Sequence, residues 1–533
     1  GYLASVEHLW FATDKFVVRN SLTYATQYID FGPFSQKTGR FNDYAFDPPT
    51  GDLSTPGRAG VAGAYSSQNF TQYSFNRRER IQYSPKATYF LDNLAGNHEI
   101  SAGLDLAFLR EDVLFGITGN AEYIDIKQVP FDSTSQTQNY YYIETGAPLR
   151  QKTSGVQTGL YLQDAWHPIE KLTVRGGARF DRGGLYNDQG KEVISYFAVS
   201  PRIYAAYDLT GDGKTVIRGG YGRFIDPGKL SQSDFLNRHG LSEKLFLGEY
   251  FGITDNGSGS MYFGTSGEAT TLRARTITVP RQDAVRLGAE RDVTHGIAVG
   301  LTWNAKWTTH LFEDDDANLI WNGSGNQTIG NRIGVVDNRF RIRTPGSARR
   351  YYQDLEFTVR RRFADQFELL GSYTWSRSLG TTPDSFSASL DNPAQDKYDF
   401  GYLPNDRTNA VRLAATYDFN FGFTMGTTLN YLSGPRYERH VWNDFADGYT
   451  NRTAPALHGG QLDGAPLWDL KFMYGPKLPG AWGKARAELT VLNVLNNRQI
   501  AGYQQSQYDA RGVLYPAGRY EPLSIRLGGR YEF

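Results

Sequence analysis

The sequence predicts an all-β protein: one transmembrane antiparallel β-barrel over residues 1–533, with no separate soluble domain. Three observations predict it. Apolar and polar residues alternate along roughly 17 segments, most of them as long as the 9–11 residues a tilted membrane strand needs. The connections between those segments alternate short and long. Aromatic residues gather where segments meet turns.

Alternation comes first because side chains of a strand point to opposite faces. In "KLTVRGGARFD" Leu172, Val174, Gly176, Ala178 and Phe180 share one face, and Thr173, Arg175, Arg179 and Asp181 the other. "RQDAVRLGAERD" sets Val285, Leu287 and Ala289 against Arg286 and Glu290; "DLEFTVRRRF" sets Leu355, Phe357 and Val359 against Glu356, Thr358 and Arg360. "AVRLAATYDFNF" repeats the pattern from Val411 to Phe421. At the end, "LSIRLGGRYEF" places Leu523, Ile525, Leu527, Tyr531 and Phe533 opposite Ser524, Arg526, Arg530 and Glu532.

A soluble sandwich strand reads the same way, so the connections decide. Short ones lie in "ATDK", "DNLAGN", "HPIEK", "DLTGDGK", "RDVTHG", "RFADQ", "DFNFG" and "GPKLPGAWG". Long ones follow Phe31, Ile117, Ile225, Phe312, Ser378 and Pro435. Several long structureless connections count against a compact soluble domain. Tight turns at one rim and long loops at the other are how outer-membrane barrels are built. Trp10, Phe11, Trp166, Phe419, Phe421, Phe423, Trp482, Tyr531 and Phe533 stand near strand ends, where amphipathic rings suit a membrane interface.

Composition agrees. Hydrophobic residues are 40% and aromatic residues 14%, with 58 Gly and 35 Tyr, as expected when half of every strand faces water. No run of about 18 apolar residues offers a helical span. The absence of Cys removes disulfides, zinc-thiolate sites and thiol nucleophiles. Lys plus Arg and Asp plus Glu are both 56, so net charge gives no argument for nucleic acid.

Enzyme chemistry finds no foothold. The 8 His are scattered without an HExxH pair, and neither a GxSxG elbow nor a phosphate-cradling loop occurs. "EDDDAN" concentrates Glu313, Asp314, Asp315 and Asp316 in an expected external loop. It is a candidate structural Ca²⁺ site set against a solvated acidic loop. No other cofactor is expected. "RRERIQ" and "RRRF" read as strand residues pointing alternately into the lumen.

Six stretches resemble the C-terminal barrel of TonB-dependent receptors, particularly the Oar-like group. They are "GLYLQDAWHPIEKLTVRGGARFD", "VSPRIYAAYDLTGDGKTVIRGGYGRF", "LLGSYTWSRSLG", "RTNAVRLAATYDF", "AELTVLNVLNNRQ" and the terminal strand. The resemblance covers roughly residues 150–533 and implies a 22-stranded bacterial outer-membrane barrel, plugged by an N-terminal domain and driven by the TonB–ExbB–ExbD complex. "GYLASVEHLWF" opens on a strand and no plug-like region is legible. The 17 segments are therefore expected to be the last of 22, the C-terminal part of a longer receptor whose N-terminal plug and first strands pair with it, as a separate cut chain or as the rest of the same one.

Transport of an extracellular ligand is the expected function, in contact with outer-membrane lipid and lipopolysaccharide. Arg175, Arg179, Arg286, Glu290, Glu356, Arg360, Arg526 and Arg530 are the expected lumen-facing, plug-contacting residues. Arg526, Gly528, Tyr531 and Phe533 resemble the signal read by the barrel-assembly machinery. A passive porin of about 18 strands and a surface adhesin or secretion conduit are the alternatives.

Overall fold

A computed structural model describes residues 1–32, 53–60, 66–67, 69, 72–125, 139–145, 147–228, 230, 243–249, 261–266, 272–273, 278–294, 296–316, 319–321, 328–331, 340–382, 400–436, 440–442, 450–452, 460–476, 484–508 and 514–532. Trp482 and Phe533 therefore lie outside the described residues.

One antiparallel sheet forms the wall, and its strands follow chain order. They are β1 (Tyr2–Thr13), β2 (Phe16–Phe31), β3 (Gln72–Tyr83, resuming as Lys86–Leu91), β4 (Asn97–Ile117), β5 (Leu149–Ile169) and β6 (Leu172–Tyr186). Next come β7 (Glu192–Asp208), β8 (Thr215–Ile225), β9 (Arg281–Thr294), β10 (Ile297–Thr309), β11 (Arg349–Ala364) and β12 (Phe367–Gly380). The last five are β13 (Asn409–Phe419), β14 (Phe423–Leu432), β15 (Ala465–Tyr474), β16 (Lys484–Leu492) and β17 (Ser524–Glu532). Each pairs with its chain neighbour, the arrangement that tight turns impose. Pro85, which has no N–H to donate, stands at the break in β3.

The expected turns are in place. Asp365 and Gln366 have φ of 48° and 68°, the left-handed pair that a two-residue hairpin requires. Gly96 has φ 112°, and a Cβ there would lie 2.3 Å from the His167 carbonyl oxygen, so only glycine fits. The opposite rim carries the long connections, with one exception: β6 and β7 are joined by the five-residue turn 187–191, where the Asn187 side chain accepts from the Gln189 and Lys191 amides.

The register carries the alternation around the wall. Phe180 pairs with Leu160 and Val199, and Leu287 with Gly219 and Trp303. Leu355 pairs with Trp303 and Trp375, and Leu489 with Leu527. These residues form an apolar outer belt, and Leu160, Phe180, Leu287, Leu301, Leu355, Phe357 and Leu527 are all exposed on it. An exposed belt of this extent is what hydrocarbon covers. Beneath it, at the short-turn rim, Tyr417, Phe419, Phe421, Phe423 and Phe472 form a ladder of ring contacts 4.7–6.1 Å between centroids.

The dry core sits outside the wall's mid-zone. Leu185, Val193, Ile194, Tyr196, Val279, Phe312 and Ile342 cluster at the long-loop rim, where loop residues close over the β6–β7 hairpin. Among the described residues β1 pairs with β2 and β17 with β16, and the two strands do not pair with each other. The sheet is open along that seam.

Candidate functional site: the lumenal wall

The face opposite the belt is continuous, and the register shows which residues share it. Arg175 pairs with Tyr204, Tyr204 with Gly220, Gly220 with Arg286, and Arg286 with Asn304. Asn304 then pairs with Asp354, and Glu356 with Thr302. Further along, Thr490 pairs with Arg526 and Arg486 with Arg530. The eight expected residues Arg175, Arg179, Arg286, Glu290, Glu356, Arg360, Arg526 and Arg530 occupy this inner face, because each stands an even number of positions from a neighbour already on it.

They do not all have the same work. Arg179 is held within the wall: it bonds Asp105 across two strands and donates through Nε to Asp181 at 2.7 Å. Asp105 also accepts from the Ser84 hydroxyl at 2.7 Å. Glu290 takes Arg218 at 3.0 Å and Arg360 at 3.6 Å. Deeper in the wall Glu111, 1% exposed, accepts from Asn76 at 2.6 Å and Arg78 at 2.8 Å. A carboxylate so placed is tolerated only because two donors satisfy it. Sequence reading missed Asp105 and Glu111 because their partners are 74 and 33 positions away.

Arg175 and Arg286 have no carboxylate within 4 Å among the described residues. They line a recess of about 1380 Å³ together with Arg179, Arg202, Lys306 and Arg350. Arg202 lies over the Phe224 ring at 4.5 Å and Lys306 over Tyr352 at 5.4 Å, while Asp354 accepts from Asn304 at 2.8 Å. Cations outnumber carboxylates in this lining, so the recess offers an anion or an acidic surface several charged donors.

The acidic stretch Glu313–Asp316 is a short strand at the long-loop rim, antiparallel to Phe340–Arg343. Its register sets Arg343 opposite Glu313 and Arg341 opposite Asp315. In the expected assembly signal, Arg526, Gly528 and Tyr531 lie on β17, with Tyr531 exposed on the outer face.

The family described as outer membrane beta barrel domain matches residues 193–435, which include the recess-lining strands β7 to β12. This chain is an outer-membrane β-barrel. The barrel is similar to the TonB-dependent transporter Oar of Myxococcus xanthus, 22% identical over a 410-residue alignment that covers 66% of this chain and 37% of Oar. Among solved structures it matches the outer membrane transporter YddB of Escherichia coli, with a TM-score of 0.56 at 12% identity, over 99% of this chain and 68% of that one. It also matches the pyoverdine receptor FpvA of Pseudomonas aeruginosa, at 0.57 and 12%, over 100% of this chain and 61% of that one. The barrel thus spans little more than a third of Oar's length. At such identities the solved structures speak for the fold. Sequence and architecture together resemble the barrel of TonB-dependent receptors, in the Oar-like group.

Proposed function

We propose that the barrel is the wall of a TonB-dependent active transporter that takes an extracellular ligand across the bacterial outer membrane. The single observation that carries this reading is the inner face. A continuous wall of charged and hydrogen-bonding residues, with a recess whose lining carries more cations than carboxylates, is suited to a polar occupant. In this reading the occupant is a plug domain, and additional strands close the seam between β1 and β17. Backbone groups left without partners in hydrocarbon cost several kcal/mol each, so that seam must be filled. The similarity to Oar supports the energised mechanism, with the TonB–ExbB–ExbD complex as motor and the barrel-assembly machinery as the route of insertion. The barrel is read as a transporter without enzymatic chemistry of its own.

The unjoined edges count against a passive porin made of these strands. A planar-bilayer recording on the full-length protein tests the choice. A plugged transporter gives no steady conductance until denaturant loosens the plug, and it binds the purified periplasmic domain of TonB. Steady open channels without denaturant, and no binding of that domain, would establish the porin instead.

A further inference from the structure

The short turn between β3 and β4, residues 92–96, has three residues of positive φ: Asn93 at 64°, Ala95 at 52° and Gly96 at 112°. Glycine takes such a conformation freely, but Ala95 carries a Cβ that opposes it. Leu94 is exposed, so packing does little to hold the turn. Two side chains hold it instead. Trp166 of β5 donates through Nε1 to the Ala95 carbonyl at 2.9 Å, and Nε2 of His98, the second residue of β4, lies 3.0 Å from the Leu94 carbonyl oxygen.

The other ring nitrogen of His98, Nδ1, lies 2.7 Å from the Asp164 carboxylate on β5. A carbonyl and a carboxylate accept and do not donate, so each ring nitrogen must carry a proton. In this geometry the ring is an imidazolium. The Trp166 indole stacks on it at 5.8 Å between centroids and 10° from parallel, a placement that suits a cation. Asp164 receives a hydrogen bond from no other group among the described residues, and its Oδ1 is buried without a donor. The neighbouring charges are otherwise engaged or turned away. Asp92 in the turn is taken by Lys15 at 3.0 Å, and β3 presents Leu91 opposite the ring with Tyr89 one step along the same face. Glu99 and His167 stand on the opposite face of their strands, and Glu170 and Lys171 of the next turn make no ion pair with the ring.

If the ring loses one proton, one of its two bonds must go. The proton that faces the carboxylate is held harder, because charge-assisted bonds are the stronger and Asp164 has no substitute donor. The bond to Leu94 is the one that yields, and a bare Nε2 lone pair then faces the carbonyl oxygen. The ring sits at the short-turn rim, outside the membrane. There the bond to Asp164 lifts its pKa above the ordinary 6.5, partial covering of the ring works against the rise, and the bond to Leu94 adds to it. A raised imidazolium holds its partners fully below 6.5 and releases one as pH climbs through the raised value. We infer that His98, clasped between Asp164 and the Leu94 carbonyl, is a pH-released latch on the strained β3–β4 turn, shut in acid and open in alkali. The latch is independent of the lumen and of whatever the lumen carries.

Hydrogen exchange of the full-length protein in lipid nanodiscs, read by mass spectrometry, tests this between about pH 6 and pH 9 with the intrinsic trend divided out. Residues 92–97 should exchange on the order of five-fold faster at the alkaline end, the worth of one lost hydrogen bond. His98→Gln should abolish the dependence, because an amide does not titrate. Asp164→Asn should keep it but move its midpoint to lower pH, which loss of a merely structural contact would not do. His167→Gln, on the other face, should leave the wild-type profile as it is. A flat wild-type profile would overturn the latch, as would an unchanged profile in His98→Gln. Should His98→Gln fail to fold, the midpoint of Asp164→Asn decides in its place, and a midpoint equal to that of the wild type would overturn the latch.

Discussion

Asp406 and Arg436 lie 2.9 Å apart, with the carboxylate wholly buried, and they tie the connection after β12 to the connection after β14. The carboxylate also accepts from the Ser378 amide at 2.8 Å, and the guanidinium covers the Tyr402 ring at 3.9 Å. Two long loops at the outer rim are thereby fixed to each other and to the end of β12. Truncating Arg436 to Ala would strand a buried charge, at a cost of about 3–5 kcal/mol to the local structure. The expected outcome is faster proteolysis within the two connections while the wall keeps its unfolding midpoint. The double variant Asp406→Asn/Arg436→Gln should recover much of the loss, since no bare charge remains.

Leu287 and Arg286 are neighbours on opposite faces, and their substitutions should separate cleanly. Leu287→Arg puts a charge against hydrocarbon and should cost about 2–4 kcal/mol if the residue lies near mid-membrane. Arg286→Leu faces the lumen and should change wall stability by much less. Urea titration of both variants in lipid vesicles checks the order of the two costs; the reverse order would mean a one-residue error in the register of β9.

Asp212 sits in the short turn between β7 and β8, outside the membrane. The Thr210 hydroxyl donates to its carboxylate at 2.6 Å, the Lys214 amide at 3.1 Å, and the Lys214 ammonium lies 3.2 Å away; together they hold its pKa down at about 2. A depressed carboxylate stabilises its turn above the ordinary value of 3.8, and the benefit is lost as pH falls towards 2. Amide exchange at Lys214 should therefore accelerate between pH 4 and pH 2, beyond the intrinsic trend. Asp212→Asn should flatten that dependence.

Glu313 to Asp316 were read from sequence as either a calcium loop or a solvated acidic loop. With Arg343 opposite Glu313 and Arg341 opposite Asp315, positive charge for this strand comes from its own partner strand. Chelator should then leave the protease sensitivity of residues 313–343 unchanged. Faster digestion in chelator, reversed by added Ca²⁺, would establish the calcium site.

The wall was legible because its physics is local. A period of two, a turn, and a period of two again can be read in "KLTVRGGARFD" without knowing any partner. The same rule puts Arg286 and Glu356 on the face opposite the apolar belt, and the register agrees on that face. The ion pairs were not legible. Arg179 looks like any lumen-facing arginine until the fold brings Asp105 beside it, and Asp406 looks like a loop residue until Arg436 arrives from the next loop.

The terminal strand offers the last test. β17 pairs with β16 from Lys484–Glu532 to Leu492–Ser524, and its outer face exposes Ile525, Leu527 and Tyr531. Side chains this exposed bury little against the protein itself, so they add little to the stability of a wall already formed. What they offer is an edge and a row of apolar groups that a β-rich partner can pair with during insertion. Tyr531→Ser, or deletion of Phe533, should therefore lower the amount of protein reaching the outer membrane while leaving the urea midpoint of refolded protein almost unchanged. Quantitative blotting of membrane fractions, set beside vesicle unfolding of the same variants, separates the two effects. Normal membrane levels for both variants would show that the assembly machinery reads some other part of the barrel. A lowered urea midpoint with normal levels would make β17 a structural strand and nothing more.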